Sequence, residues 1–172
     1  MPKRKLKTKR PKPKTERVKP IPDGYHTVTP YLIVRNADRA IDFYKRAFGA
    51  RELMRMPGPG GKVMHAELKI GDSIFFLSDE SLDMGHRSPE SLGGASGSIL
   101  LYVRDVDAAF KRAMDAGARV MRPLADMFWG DRYGQLADPF GHEWGLATHK
   151  EDLTPREIAK RQEAFVKGGH TE

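Results

Sequence analysis

Cysteine is absent from the 172 residues of this chain. That absence excludes disulfides, thiolate metal sites and a cysteine nucleophile. Long apolar runs are missing as well, whereas a helix that crosses a bilayer needs about 20 consecutive apolar residues. The basic N-terminus also lacks the hydrophobic stretch that follows the charges in a secretory signal peptide. We therefore expect a cytoplasmic protein with no membrane partner.

Apolar residues are scarce in the first 22 positions, which hold five of the twelve prolines. Residues 1–20 contain ten Lys or Arg and one acidic residue, which leaves twenty basic and twenty-two acidic residues for the rest of the chain. Because such a segment buries too little surface to offset its ordering entropy, residues 1–22 are predicted to be a disordered basic tail. We interpret it as a solubilising extension, with weak nonspecific binding of an anionic partner by residues 1–20 as the alternative.

A repeat follows the tail. The run at residues 34–41, Val-Arg-Asn-Ala-Asp-Arg-Ala-Ile, resembles the run at residues 103–110, Val-Arg-Asp-Val-Asp-Ala-Ala-Phe, and each leads to a Gly-Ala-Arg. In each copy an apolar strand precedes a helical pattern, and three strand candidates separated by turn residues follow it. A repeated supersecondary unit explains this pattern. We predict a first βαβββ module at residues 23–95 and a second at residues 96–152.

Helix starts are marked in both copies and once more near the C-terminus. Asn36 and Asp105 are suited to cap the two repeated helices. A capping box, Thr154-Pro155-Arg156-Glu157, predicts a further helix in the segment 153–172. The predicted fold class is α+β: two βαβββ modules that form curled mixed sheets around a cavity, plus a C-terminal helix.

Strand parity divides the side chains of each module into two faces. The regularly apolar face must lie under the helices, so the mixed polar and aromatic face is left open and concave. A concave surface of that composition suits a small-molecule pocket, and the long connection Pro123–Gly130 would cover it. We expect these residues to bind the ligand: Tyr31, His65, Glu67, Phe75, Tyr102, Trp129, Arg132, Tyr133 and Gln135.

Arg132 is the candidate anchor for an acidic group on the ligand, because a guanidinium binds a carboxylate through two parallel hydrogen bonds. A structural ion pair with Asp131, Asp126 or Asp138 is the alternative. The first interpretation predicts one cavity that Arg132 shares with four other side chains: His65, Glu67, Trp129 and Tyr133.

A family resemblance rests on the run Asp138-Pro139-Phe140-Gly141-His142-Glu143-Trp144 and on Trp129-Gly130-Asp131-Arg132-Tyr133-Gly134. With the repeated unit, these runs resemble the vicinal-oxygen-chelate superfamily of glyoxalase I, bleomycin-resistance proteins and extradiol dioxygenases, and within it the PhnB-like subgroup. The resemblance implies two modules around a cavity, commonly with a divalent metal, and a homodimer that buries the free strand edges.

The metal positions that the resemblance implies depart from the family pattern. They fall on Thr29, Phe75 (Phe76 if the alignment shifts by one), Ser98 and Gly145. Phenylalanine and glycine have no donor atom for Mg²⁺, Zn²⁺ or Fe²⁺, and neutral hydroxyls replace carboxylate and imidazole poorly. We therefore predict no metal at these positions and no other cofactor.

A relocated divalent metal is left open by the histidines and carboxylates of the concave face. His65 and Glu67 lie two residues apart on one strand and share a face, and His149 and Glu143 lie on the corresponding face of the second module. His65, Glu67 and His149 are also the candidate catalytic residues for metal-free acid–base chemistry.

The predicted function is the binding of a small organic molecule in the cavity, without the usual metal of the superfamily. Two alternatives belong to different classes of protein. One is a lyase or dioxygenase that uses a relocated metal or metal-free acid–base chemistry. The second is a nucleic-acid-associated adaptor that acts through the basic tail.

Overall fold

The computed structural model describes residues 18–168, and most of the predicted tail lies outside them. The strands of a first sheet are β1 (Tyr31–Val34), β2 (Arg51–Pro57), β3 (Val63–Ile70) and β4 (Ser73–Asp79). Those of a second sheet are β5 (Ser98–Tyr102), β6 (Arg119–Asp126), β7 (Asp131–Ala137) and β8 (Glu143–His149). The sheet orders are the same, β1-β4-β3-β2 and β5-β8-β7-β6, with one parallel pair in each. The predicted α+β fold class is confirmed.

Helices α1 (Ala37–Phe48) and α3 (Val106–Ala116) occupy the same place in the two modules. The side chains of Asn36 and Asp105 accept hydrogen bonds from backbone N–H groups three residues later, as N-caps do. Both helices end at a glycine with a left-handed backbone, a conformation that a Cβ atom disfavours. The predicted starts of these helices are therefore confirmed.

Two further helices lie after the sheets. Helix α2 (Pro89–Leu92) is a single turn, and α4 (Pro155–Lys167) begins at the predicted capping box of Thr154 and Glu157. None of the helices within residues 18–168 is long and apolar enough to cross a membrane.

The core connects the two modules through α1 and the turn before β8. Tyr44 of α1 is fully buried, and its hydroxyl donates to Asp138 Oδ2 over 2.7 Å. Trp144 Nε1 donates to the same oxygen over 2.9 Å, and the backbone N–H groups of Phe140 and His142 donate to Asp138 Oδ1. Burial and the Asp138 carboxylate raise the pKa of Tyr44 well above its ordinary value. One carboxylate thus satisfies four donors where the modules meet.

The predicted strand faces are correct on most strands. Leu32, Ala66, Leu68, Trp144 and Leu146 are buried in the core beneath the helices. The side chains of alternate residues lie on the face away from α1 and α3, which we call the open face. On β4 the predicted parity is wrong: Phe75 is buried against Tyr44 and Trp144, so it does not line the open face.

Phe76 occupies the open face in place of Phe75. It pairs in register with Tyr31 of β1 and with Glu67 of β3, so the three side chains share one side of the sheet. Two adjacent phenylalanines have equal apolar character, and a one-residue slip on a strand exchanges the faces. The sequence pattern therefore could not choose between them.

The predicted long connection Pro123–Gly130 is shorter in the structure. Strand β6 continues to Asp126 and so takes in the first four residues of that connection, and a register irregularity between Arg122 and Ala125 accommodates Pro123. Proline is tolerated there because β6 is an edge strand. Only residues 127–130 form a loop, which leads directly into β7.

Candidate functional site

Aromatic side chains converge on the open face of the first module. Phe76 lies at the centre, with ring centroids of His65 at 4.9 Å, Tyr31 at 5.7 Å and Tyr25 at 6.0 Å. The edge-to-face geometry of the Tyr31 and His65 contacts is favourable for aromatic pairs. We call Tyr25, Tyr31, His65, Glu67 and Phe76 the first-module cluster.

Glu67 is the polar centre of the first-module cluster. The Tyr25 hydroxyl donates to Glu67 Oε2 over 2.5 Å, and His65 Nε2 lies 3.6 Å from Glu67 Oε1. His65 Nδ1 in turn lies 3.2 Å from the Tyr31 hydroxyl. The hydrogen bond to Glu67, with a smaller effect of burial, raises the pKa of Tyr25 above its ordinary value. A carboxylate flanked by rings can recognise a hydroxyl or ammonium group on an apolar ligand.

A buried carboxylate organises the open face of the second module. Asp131 is 5% exposed and accepts hydrogen bonds from the Tyr102 hydroxyl at 2.9 Å and from Trp129 Nε1 at 3.1 Å. His149 Nδ1 lies 2.7 Å from Asp131 Oδ1. Tyr133 contacts the Trp129 ring at a centroid distance of 5.9 Å. We call these five residues the second-module cluster.

His149 is held between two acids. Its Nε2 lies 3.0 Å from Oδ1 of the exposed Asp152, opposite the contact with Asp131. The hydrogen bond with Asp131, followed by that with Asp152, raises the pKa of His149 above its ordinary value. The arrangement favours the protonated imidazolium, which is a donor at both nitrogens and not a general base.

The tyrosine of the second-module cluster lies over a residue without a side chain. A Cβ atom placed on Gly145 would lie 2.9 Å from Tyr133 Cε2 and 3.0 Å from Leu100 Cδ1. The Tyr133 ring therefore fills the space where the second module would carry a metal ligand. On the same sheet the Gln135 amide donates to Glu143 over 3.2 Å.

Arg132 does not lie on the open face, so its predicted placement over the pocket is wrong. Its guanidinium forms two hydrogen bonds to Asp107 of α3, at 2.8 and 2.7 Å, and a third to Asp126 at 3.3 Å. Successive strand residues point to opposite faces, so Arg132 faces α3 while Asp131 and Tyr133 face the open side. The predicted structural ion pair is correct for Asp126, whereas the pair with Asp107 was not expected.

The side chains that were expected to line one cavity lie on two different sheets of this chain. His65 and Glu67 belong to the first-module cluster, and Trp129 and Tyr133 to the second-module cluster. A separate cavity of about 620 Å³ lies between the modules along the outer edge of β5. Of the predicted ligand-binding residues, it is lined by Phe75 and Tyr102 alone, among mainly apolar neighbours.

Sequence reasoning missed three members of these clusters: Tyr25, Phe76 and Asp131. Tyr25 precedes the first strand, where strand parity does not apply, although the turn signal Pro22-Asp23-Gly24 is present. Asp131 was expected only as a partner for Arg132. Its own parity, which matches that of Tyr133 and Gln135, could have placed it on the open face.

The four positions of the superfamily metal ligands lie on or next to β1, β4, β5 and β8. Thr29 lies just before β1 and its hydroxyl donates to the His26 carbonyl over 3.3 Å, while Ser98 begins β5. The position on β4 is Phe76, since Phe75 is in the core, and the position on β8 is Gly145. Within residues 18–168 no three His, Asp or Glu side chains are arranged to hold a metal ion.

This topology and these motifs agree with comparisons to known proteins. Residues 25–146 match the family model of the Glyoxalase/Bleomycin resistance protein/Dioxygenase superfamily. The chain belongs to that superfamily. Protein Rv0887c of Mycobacterium tuberculosis is 49% identical over 134 residues, which are 76% of this chain and 79% of the relative.

Several solved structures are also similar to this chain. TioX from Micromonospora sp. ML1 is 33% identical, with a TM-score of 0.57, and the match covers 70% of this chain and 96% of TioX. The PhnB protein of Bacillus cereus shares the fold at 18% identity and a TM-score of 0.57, over 72% of this chain and 99% of PhnB. The resemblance to the superfamily is confirmed.

Proposed function

We propose that this chain binds a small organic molecule on the open face of the first module, without the metal of its superfamily. One observation carries the proposal: aromatic rings stand at two of the four metal-ligand positions, one in each sheet. Phe76 occupies the position on β4, and the ring of Tyr133 covers Gly145 on β8. A face lined by rings with one carboxylate has the character of small-molecule sites, which are mostly apolar with a few placed polar groups.

The residues present do not fit a divalent metal at the superfamily position. Neither Phe76 nor Gly145 has a donor atom, and the Thr29 hydroxyl is directed to a backbone carbonyl. Mg²⁺ and Zn²⁺ need several oxygen or nitrogen ligands around one point. The proposed binding therefore depends on apolar contact and hydrogen bonding.

The first module is a better location than the cavity between the modules. That cavity has a suitable volume of about 620 Å³, but its two charged lining residues, Asp72 and Arg104, are exposed at the surface. The first-module cluster combines four rings with Glu67, whose side chain is 17% exposed and so retains access for a ligand.

A homodimer is part of the proposal. The open faces expose large apolar side chains, including Tyr31 at 46%, Leu100 at 47% and Tyr102 at 62%. A second copy that packed against these side chains would remove them from solvent. Light scattering at high protein concentration should give the mass of a dimer, and a monomeric mass would contradict this part.

Acid–base chemistry without a metal is the second candidate function, and the contacts of Glu67 favour it over chemistry at a relocated metal. Glu67 accepts a hydrogen bond from the Tyr25 hydroxyl and lies beside His65. This arrangement could move a proton. Weak binding of anions by the ten basic residues at positions 1–20 is a separate proposal about the tail.

Saturation-transfer NMR on EDTA-treated protein tests the proposed function, with toluene and benzoate as probes. We expect toluene to bind without added metal, and Phe76→Ala to weaken its binding about tenfold through the lost aromatic contact. Leu100→Ala is the matched control, since it removes an exposed apolar side chain from the open face of the second module. In parallel, Mn²⁺ titration should show no stoichiometric site.

Two results would contradict the proposed function. One is a site for Mn²⁺ with about one ion per chain that also enhances binding of the probes. The second is probe binding that Leu100→Ala weakens and Phe76→Ala does not, which would place the ligand along β5.

A further inference from the structure

In the segment before β1, the Tyr25 side chain and the Pro30 carbonyl hydrogen-bond to the first module. Residues 18–30 form no helix or strand, and each residue from 18 to 28 is exposed except Tyr25. A turn at Pro22–Tyr25, closed by the Tyr25 N–H and the Pro22 carbonyl over 3.2 Å, directs Tyr25 toward the sheet. Gly24 has a φ of 85° in this turn, which a residue with a Cβ atom disfavours.

Tyr25 makes the contacts of a bound ligand. Its ring lies beside Phe76 at 6.0 Å, and its hydroxyl donates to Glu67 at 2.5 Å. Apolar contact for a ring and one acceptor for its hydroxyl are the features that define a site for a phenol. A tyrosine that belonged to the core would be buried on all sides, whereas Tyr25 reaches the open face from a chain segment lying outside the sheet.

The second module has no such contact among the described residues. The residue equivalent to Glu67 is Gln135, because both pair with the corresponding position of the adjacent strand. Gln135 donates to Glu143 of its own sheet. The link between a phenol from outside the sheet and a carboxylate on the open face is therefore particular to the first module.

We infer that Tyr25 occupies a binding site for hydroxylated aromatic rings, and that a phenolic ligand enters by displacing the Tyr25 side chain. The inference rests on the proposed function and deepens it by naming the class of ligand. The ligand's ring packs against Phe76 in the place of the Tyr25 ring, and its hydroxyl donates to Glu67.

Displacement is feasible because residues 18–28 are exposed apart from Tyr25. A segment with few buried contacts and an exposed backbone opens at low free-energy cost. A tethered side chain competes with a free ligand at an effective concentration in the range of about 1 mM. The apparent affinity for the ligand is reduced by the fraction of molecules in which Tyr25 occupies the site.

The electrostatics of Tyr25 agree with a site for neutral phenols. Its hydrogen bond to Glu67 raises its pKa above the ordinary value, so the phenol keeps its proton. The same carboxylate would favour a protonated phenol over a phenolate, since two anions at hydrogen-bonding distance repel each other.

The test uses p-cresol, which is a tyrosine side chain without its backbone, and toluene, which lacks only the hydroxyl. Dissociation constants are measured by ligand-observed NMR on the full chain and on Tyr25→Ala. We expect Tyr25→Ala to bind p-cresol about tenfold more tightly than the wild type. His26→Ala, the substitution of an exposed neighbour, should leave both affinities unchanged.

Glu67→Gln tests the hydroxyl contact in the Tyr25→Ala background. It should weaken p-cresol binding about tenfold and leave toluene binding unchanged, because a charged acceptor makes the stronger hydrogen bond. Tyr25→Phe retains the ring beside Phe76 and removes the hydroxyl, so its affinity for p-cresol should lie between those of the wild type and Tyr25→Ala. If Tyr25→Ala does not fold, the p-cresol affinity of Tyr25→Phe tests the displacement of Tyr25 in its place.

The outcomes separate the two proposals. Equal p-cresol affinity in the wild type, Tyr25→Ala and Tyr25→Phe would overturn the displacement of Tyr25. Equal affinities of Tyr25→Ala for p-cresol and toluene would overturn the phenolic class but leave the proposed function intact. Failure of both probes to bind any variant would contradict the proposed function itself.

Discussion

The two modules share one backbone plan and carry different chemistry on it. Strand register makes three pairs of open-face positions equivalent: Tyr31 and Leu100, Phe76 and Gly145, Glu67 and Gln135. The first module has a ring, a ring and a carboxylate there, and the second has an aliphatic chain, no side chain and an amide. The carboxylate of the second-module cluster, Asp131, is buried and satisfied by three neighbours. The comparison agrees with the proposal that a ligand binds to the first module, whereas the polar groups of the second-module cluster hydrogen-bond to one another.

The largest difference in stability between matching substitutions in the two modules should appear at their equivalent turns. Asp138, before β8, accepts hydrogen bonds from four donors, whereas Asp72, before β4, is exposed. Asp138→Ala should lower the free energy of unfolding by about 3 kcal/mol, because buried donors lose their acceptor. Asp72→Ala is the matched control and should leave the urea midpoint unchanged. Similar midpoints for both variants would contradict the assigned role of Asp138.

A second difference concerns how closely the helix approaches each sheet. Ala66 and Gly134 are equivalent positions beneath α1 and α3. A Cβ atom on Gly134 would lie 2.7 Å from Phe110 Cε2 and 3.1 Å from Leu124 Cδ2, so the core would have to move. Gly134→Ala should therefore destabilise the chain by about 1–2 kcal/mol in urea unfolding.

The reverse change in the first module sharpens this prediction. Ala66→Gly should cost about 1 kcal/mol, from backbone entropy and a small loss of packing. If Gly134→Ala stabilised the chain instead, then α3 would not pack as closely on β7 as the structure indicates.

The sequence predicted those features of the fold and of the site that depend on local patterns, and not those that depend on long-range contacts. The caps Asn36 and Asp105 and the alternation on β3 are local patterns, and they predicted the helices and the open placement of His65 and Glu67. Phe75 and Phe76 are equally apolar, so only strand pairing could distinguish them. Arg132 was misplaced because its partner Asp107 lies 25 residues away on α3, where sequence gives no distance.

The smallest predicted effect concerns His149 and its two acids. Asp131→Asn should lower the pKa of His149 toward its ordinary value, and Asp152→Asn should lower it less, because Asp131 has the larger effect in the wild type. NMR titration of the imidazole protons measures both. A raised folded-state pKa contributes stability below the ordinary His pKa of about 6.5 and loses it as pH rises through the folded value. The difference in the free energy of unfolding between the wild type and Asp131→Asn should thus become smaller as the pH rises.

The most direct test of the account is a map of where an aromatic ligand binds on the metal-free protein. Assigned amide spectra of the EDTA-treated chain would be recorded as p-cresol is added. We predict that the largest shifts fall on β1, β3 and β4, at Tyr31, Glu67 and Phe76, with little change at their counterparts in the second module. Shifts confined to β5, β7 and β8, around Leu100, Gln135 and Gly145, would contradict the claim that the first module is the binding module.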